Sequence, residues 1–75
     1  MPDNDAIRKS GEDWGRALYS ENPDLIGRNL LLRVAKEAVY IRNRYPDVNL
    51  DIWQKAAVDS YVGTRYYYKA QNRGC

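Results

Sequence analysis

The sequence contains no histidine and no phenylalanine, and the only cysteine among its 75 residues is Cys75. Histidine is the commonest general base and the commonest metal ligand in proteins, so its absence excludes the usual designs of both kinds of site. A single cysteine excludes an internal disulfide and a thiolate metal cage. The glycine patterns that cradle phosphates in nucleotide sites are also missing. We therefore expect a protein that is not an enzyme and that uses no metal and no cofactor.

Long apolar runs are also missing, since no segment approaches the ~20 consecutive apolar residues that a membrane-spanning helix needs. Residues 1–5 read MPDND, which is acidic and polar and unlike a secretory signal. We therefore expect no membrane partner. The expected location is the cytoplasm, in a cell that makes the protein or in a virus-infected cell.

Acidic residues are scarce in the second part of the chain, although the net charge is only +2. Residues 1–25 carry six acids and three bases, whereas residues 26–75 carry four acids and nine bases. This imbalance suits an anionic partner, and bases near a helix C-terminus also suit the helix dipole. With 44% hydrophobic residues, we expect a single globular domain over residues 1–75. So small a core leaves only about 3–5 kcal/mol of net stability, which favours a role in partner binding.

The clearest helix start is Asn22-Pro23-Asp24. Asparagine is a strong N-cap, proline fits the first helical position, and an acid complements the dipole there. A long central helix is therefore predicted over residues 23–44, ending before Pro46. Its apolar face is broad enough to be covered by two neighbours and consists of Gly27, Leu30, Leu31, Val34, Ala35, Ala38, Ile41 and Tyr45.

Two further helices flank the central one. The first is predicted over about residues 6–20, with a stripe formed by Ile7, Gly11, Trp14 and Leu18. Asp5 is its predicted cap, and Ser10 with Asp13 offers a second, later start. The third is predicted over about residues 50–72, with Asn49 as its N-cap and Gly74 as its C-cap. Its inward face is predicted to contain Leu50, Trp53, Ala56, Ala57, Tyr61, Thr64, Tyr67 and Tyr68. The predicted fold class is all-α, a small three-helix bundle with a long central helix.

For residues 58–69, a β-hairpin that turns at Gly63-Thr64 is the alternative to a helix, because tyrosine and valine favour strands. An isolated hairpin is marginal in water, and no other segment offers a strand to pair with it. The helix is therefore the preferred interpretation.

The outer face of the third helix predicts a binding surface. Val58, Val62 and Tyr66 are spaced i, i+4, i+8 and form a ridge among basic residues. Tyrosine and arginine are enriched at interface centres, because they bury area and still make polar contacts. The predicted partner-binding residues are Val58, Val62, Arg65, Tyr66, Lys69 and Arg73. We expect this face to dock on a larger protein or complex, as an adaptor, subunit or inhibitor.

The segment DIWQKAAVDSYVGTRYYYK, residues 51–69, also resembles the helix-turn-helix of tetracycline-repressor-type regulators. The resemblance covers about a quarter of the chain, with extra residues after Ile52 and after Ala57 and without the turn glycine. It implies that Thr64, Arg65, Tyr66 and Lys69 meet DNA. The alternative function is therefore nucleic-acid binding, through a set of residues that comprises Arg33, Lys36, Arg44, Thr64, Arg65, Tyr66 and Lys69. A homodimer is compatible with either function.

Overall fold

A computed structural model describes the backbone of residues 3–73 and the side chains of residues 3–71. The chain forms three helices: α1 spans Asn4–Glu21, α2 spans Arg28–Arg44 and α3 spans Leu50–Arg73. Over the described backbone there is no β-strand. The predicted fold class, a small all-α three-helix bundle, is confirmed. The longest helix is nevertheless α3, with 24 residues, whereas α2, which was predicted to be the long central helix, has 17.

The third helix occupies the middle of the bundle, because α1 and α2 both pack against it. The buried side chains that form the core are Ile7, Leu18, Leu30, Val34, Ala38, Trp53, Ala57 and Tyr61. The first and second helices also meet through the guanidinium of Arg33, which lies 5.2 Å from the centroid of the Trp14 ring. The apolar stripes predicted for α1 and for the first half of α3 face each other, and the ring centroids of Trp14 and Trp53 lie 5.1 Å apart.

Two glycines set the close packing of α1 on α3. A β-carbon on Gly11 would collide with the backbone carbonyl oxygen of Trp53, and one on Gly15 would collide with that of Ala57. Both glycines are buried. The hydroxyl of Ser60 completes this contact by donating a hydrogen bond of 2.7 Å to the carbonyl oxygen of Glu12. The backbones of the two helices are thus too close for any side chain at these two positions.

The start of α2 differs from the prediction, because Asn22 ends α1 instead of beginning α2. Its backbone N–H donates to the carbonyl oxygen of Leu18 at 2.8 Å. Residues 23–27 then form a loop, and α2 begins at Arg28 after Gly27, whose φ of 55° favours glycine. Tertiary contacts from α3 hold this loop open: Tyr61 donates a hydrogen bond to the carbonyl oxygen of Asn22 and accepts one from Leu25. The predicted end of α2 before Pro46 is confirmed.

The first helix begins two residues earlier than predicted. Its N-cap is Asp3, whose Oδ1 accepts a hydrogen bond of 2.7 Å from the backbone N–H of Ala6. The predicted cap, Asp5, lies inside the first turn and forms an ion pair of 2.7 Å with Arg8. At the start of α3, Asn49 Oδ1 accepts from the backbone N–H of Ile52 at 3.5 Å, in agreement with its predicted role. Gly74, the predicted C-cap, lies outside the described residues.

Residues 51–69 lie within one uninterrupted helix, so the choice of helix over hairpin at residues 58–69 is confirmed. The same continuity shows that the helix-turn-helix interpretation of this segment is wrong, since α3 contains no turn between Leu50 and Arg73. A helix-turn-helix motif needs two helices at a fixed angle in order to aim the second one into the major groove. Residues 64–69 instead continue the axis of the helix that begins at Leu50.

Several side chains predicted to face inward are exposed. On α3 these are Tyr67 and Tyr68, which lie in the last turns of a helix that is longer than either neighbour. On the predicted apolar face of the central helix they are Leu31, Ala35 and Tyr45. No helix in the described part of the chain has the length and hydropathy needed to cross a membrane.

Candidate functional site

The second helix exposes a continuous apolar surface. Leu31, Leu32 and Val39 are 58%, 60% and 61% exposed, and Ala35 is exposed as well. Residues three or four apart are neighbours on a helix surface, so these four side chains form one patch, which we call the α2 stripe. It lies beside the buried face of α2, which consists of Leu30, Val34 and Ala38. The apolar arc is therefore wider than the surface that α3 covers.

Two residues of the α2 stripe, Leu31 and Ala35, form one wall of a shallow groove whose other wall belongs to α3. At the base lies Val34, which is only 2% exposed, and Val58 contributes apolar surface from the α3 side. The lining residues are Leu31, Val34, Ala35, Gln54, Lys55, Val58 and Asp59. Exposed contiguous apolar surface of this kind marks interaction sites more often than scattered apolar residues do.

Basic side chains surround the α2 stripe. Arg28 lies one turn before Leu31 and Leu32, Arg42 lies one turn beyond Val39, and Lys36 lies beside them on the same helix; all three bases are exposed. On the α3 side the groove is bordered by Lys55 and by one acid, Asp59. None of the ion pairs between described residues involves Arg28, Lys36 or Arg42. The rim is therefore basic and its charges are not neutralised within the part of the chain described.

The six residues predicted to bind a partner do not form one exposed ridge. Val58 and Val62 are half-buried and pack against the core, although Val58 also reaches the groove. Tyr66 is 69% exposed and Lys69 is exposed, so these two match the prediction of an accessible outer face. The side chain of Arg73 lies outside the described residues.

Arg65 makes intramolecular contacts that sequence analysis did not anticipate. Its Nη2 donates a hydrogen bond to the carbonyl oxygen of Leu25, and its guanidinium lies 5.2 Å from the centroid of the Tyr61 ring. The hydrogen bond to Leu25 connects α3 to the loop between α1 and α2. This half-buried side chain therefore has a structural role, and replacing it would disturb the loop as well as the surface.

The residues of the alternative nucleic-acid set are spread over different environments. The guanidinium of Arg33 stacks on Trp14 and lies 3.9 Å from Glu37. The hydroxyl of Thr64 donates to the carbonyl oxygen of Ser60 at 2.7 Å. Of the remaining members, Lys36, Arg44, Tyr66 and Lys69 are exposed, and Arg65 makes the contacts described above. Nucleic-acid binding by this set remains a prediction.

Arg44 lies at the end of α2 between two tyrosines. It donates a hydrogen bond of 3.2 Å to the hydroxyl of Tyr40, and its guanidinium lies 5.9 Å from the centroid of the Tyr45 ring. The hydrogen bond that Arg44 donates to Tyr40, with a smaller contribution from Tyr45, raises the pKa of Arg44 above its usual value. Arginine is already protonated at physiological pH, so these contacts affect where the guanidinium lies and not its charge.

Tyrosines from α1 and α3 form a series of ring contacts that leads from the core to the surface. The ring of Tyr19 lies edge-on to the buried Tyr61, with centroids 5.4 Å apart, and stacks on Tyr68 at 5.5 Å with an interplanar angle of 3°. Tyr68 in turn contacts the edge of Tyr67 at 5.5 Å. Two of the three consecutive tyrosines, Tyr67 and Tyr68, thus lie against other tyrosines, although both remain exposed.

Sequence analysis missed Leu32 and Val39 and assigned Leu31 and Ala35 to the covered face. The available signal was the breadth of the apolar arc on the central helix, which was expected to be covered by two neighbours.

Among the described residues, no group of three or more acidic or sulfur-containing side chains is arranged to hold a metal ion. Comparison of the chain with protein-family models, with curated proteins and with solved structures found no match.

Proposed function

We propose that this chain is a non-enzymatic docking domain, which binds a larger protein or complex in the cytoplasm as an adaptor, subunit or inhibitor. The observation that supports the proposal is the exposed α2 stripe, which continues across the groove to Val58. Burying such a patch in a partner would gain about 25 cal/mol per Å² of apolar surface removed from water. A domain with so small a core would also gain stability from the contact.

The proposed surface overlaps the face predicted from the sequence, but its centre lies on the α2 stripe and not on α3. Val58 belongs to both, whereas Tyr66 and Lys69 lie further along α3 toward its end. In interfaces, an apolar centre with a charged rim is the usual arrangement. The α2 stripe supplies such a centre, and the outer face of α3 would then lie at the edge of the contact.

The test compares partner capture by matched variants. Immobilised wild-type protein, Leu32→Glu, Tyr66→Ala and Tyr67→Ser are incubated with an extract of the native cells, and the retained proteins are identified by mass spectrometry. Tyr67 is 60% exposed, as Leu32 is, but it lies on α3 beside Glu12 and Arg16 of α1, so Tyr67→Ser is the matched control. We expect Leu32→Glu to lose the partner and Tyr67→Ser to keep it.

The remaining variant locates the surface. Loss of capture in Tyr66→Ala, with capture kept in Leu32→Glu, would return the site to the outer face of α3. Identical capture by all four proteins would rule out docking through either surface. Arg65→Glu is unsuitable for this comparison, because Arg65 holds the loop at Leu25. Circular dichroism of each variant checks that helicity is retained.

A further inference from the structure

The groove between α2 and α3 has a shape that another helix would fill. The α2 stripe runs from Leu31 to Val39, which corresponds to about 12 Å along the helix axis. Side-chain ridges of one helix pack into grooves on another, and amphipathic helices bind such grooves through apolar residues spaced i, i+3, i+4, i+7. The stripe therefore offers about two turns of apolar surface to the apolar face of another helix.

The charge of the rim argues against a second copy of this chain as the occupant. An antiparallel two-fold pairing centred on Ala35 would place Leu31 of one copy opposite Val39 of the other, but it would also place Arg28 opposite Arg42. A parallel pairing would set each base against its own equivalent. Like charges placed opposite each other destabilise an interface, so both symmetric arrangements are unfavourable.

A lipid surface also attracts a basic amphipathic helix, but the shape of this site fits it less well. Leu31 and Ala35 line a groove whose base, at Val34, is almost fully buried. A flat bilayer surface contacts protruding ridges more readily than the floor of a groove.

We infer that the groove between α2 and α3 binds an amphipathic helix of another protein, whose apolar stripe is flanked by aspartate or glutamate. The apolar residues would pack on the α2 stripe and on Val58. The acidic flanks would pair with Arg28, Lys36 and Arg42, the exposed bases of the rim. Complementary charge of this kind increases the association rate and selects among partners with similar apolar faces. This inference rests on the proposed docking function and specifies its partner.

The test uses designed helical peptides of about five turns that share one leucine stripe. One peptide carries glutamates beside the stripe, a second carries lysines there, and a third has glutamates but serines in place of the leucines. Binding of each fluorescein-labelled peptide to the protein is followed by anisotropy at low and at high salt. We expect the acidic leucine peptide to bind at least about tenfold more tightly than the basic one at low salt, with a smaller advantage at high salt.

Variants of the protein identify the groups that produce this preference. Arg28→Glu, Lys36→Glu and Arg42→Glu together should reverse the preference between acidic and basic peptides. Leu32→Ser with Val39→Ser should abolish binding of the acidic peptide, and Tyr67→Ser, on the α1 side of α3, should leave it unchanged. The third peptide, without leucines, should bind wild-type protein only weakly. Its affinity should be no higher than that of the acidic leucine peptide for the protein with both serine substitutions.

Four results would overturn the inference: equal binding of acidic and basic peptides, no binding of either, co-sedimentation with anionic phosphatidylserine vesicles in place of peptide binding, or a dimer in sedimentation equilibrium that Leu32→Glu dissociates. In the first two of these results, partner capture from native extract decides how much of the proposal fails. If capture still depended on Leu32, only the acidic-helix inference would fail. If capture did not depend on Leu32, the proposed docking surface would fail with it.

Discussion

The hydroxyl of Tyr61 accepts a hydrogen bond of 3.0 Å from the backbone N–H of Leu25, 36 positions earlier in the chain. The same hydroxyl donates to the carbonyl oxygen of Asn22, and the side chain of Tyr61 is fully buried in the core. One residue of α3 thus holds both sides of the loop that separates α1 from α2. This loop in turn sets where α2 begins, and hence which part of its apolar arc faces α3.

Removing this hydroxyl should destabilise the bundle without opening a large cavity. We expect Tyr61→Phe to lower the free energy of unfolding by about 1–2 kcal/mol, because two partly buried backbone groups lose their partner. Urea denaturation followed by circular dichroism measures the change. Tyr66→Phe is the control, since Tyr66 is largely exposed. Equal unfolding midpoints for Tyr61→Phe and wild type would show that the loop does not depend on the hydroxyl.

Glycine-to-alanine substitutions should have opposite effects at two helical positions. A β-carbon at Gly15 would meet the carbonyl oxygen of Ala57, so Gly15→Ala should force α1 away from α3 and cost at least about 1–3 kcal/mol, as overpacking does. A β-carbon at Gly63 meets nothing within 4 Å, so Gly63→Ala should stabilise α3 by about 0.5–1 kcal/mol. Thermal unfolding of both variants measures the difference. A gain in stability at Gly15 would contradict the close packing of the two helices.

Duplex DNA is expected to bind weakly at physiological salt. Arg33 stacks on Trp14, and Arg65 donates a hydrogen bond to Leu25. Fewer bases of the alternative set are therefore available to bind DNA phosphates than the sequence suggests. Anisotropy of labelled duplex and single-stranded DNA, measured with reduced protein at two salt concentrations, tests this expectation. Binding that weakened steeply with salt would mean that phosphates are neutralised, and it would favour the nucleic-acid alternative. Lys36→Glu with Lys69→Glu would then show whether these bases are responsible.

The periodicity of apolar residues was sufficient to predict three helices and the facing stripes of α1 and α3. Ile7, Gly11 and Leu18 are buried as their spacing requires, and Trp53, Ala57 and Tyr61 are buried opposite them. Local signals near helix ends were less reliable. Asn22-Pro23-Asp24 has the sequence of a helix start, yet Asn22 ends α1, because hydrogen bonds to Tyr61 favour an open loop there.

The candidate site was predicted only in part, because a helical wheel describes directions around one axis and not the extent of the neighbours. Tyr67 and Tyr68 point toward the side on which the core lies, but α3 is longer than either neighbour and its last turns extend past their cover. Arg65 was predicted to bind a partner because it lies beside Tyr66. Its contact with Leu25 joins residues 40 positions apart, and no local pattern encodes it.

The sequence by itself determined the all-α class, the number of helices and the breadth of the apolar arc on α2, since these follow from the periodic placement of side chains along each helix. Only the tertiary structure decided that α3 covers one side of that arc and leaves Leu31 and Ala35 exposed. The physical reason is that a single neighbouring helix covers a limited width of surface. The position of that helix depends on the loop held by Tyr61 and on the close approach at Gly11 and Gly15.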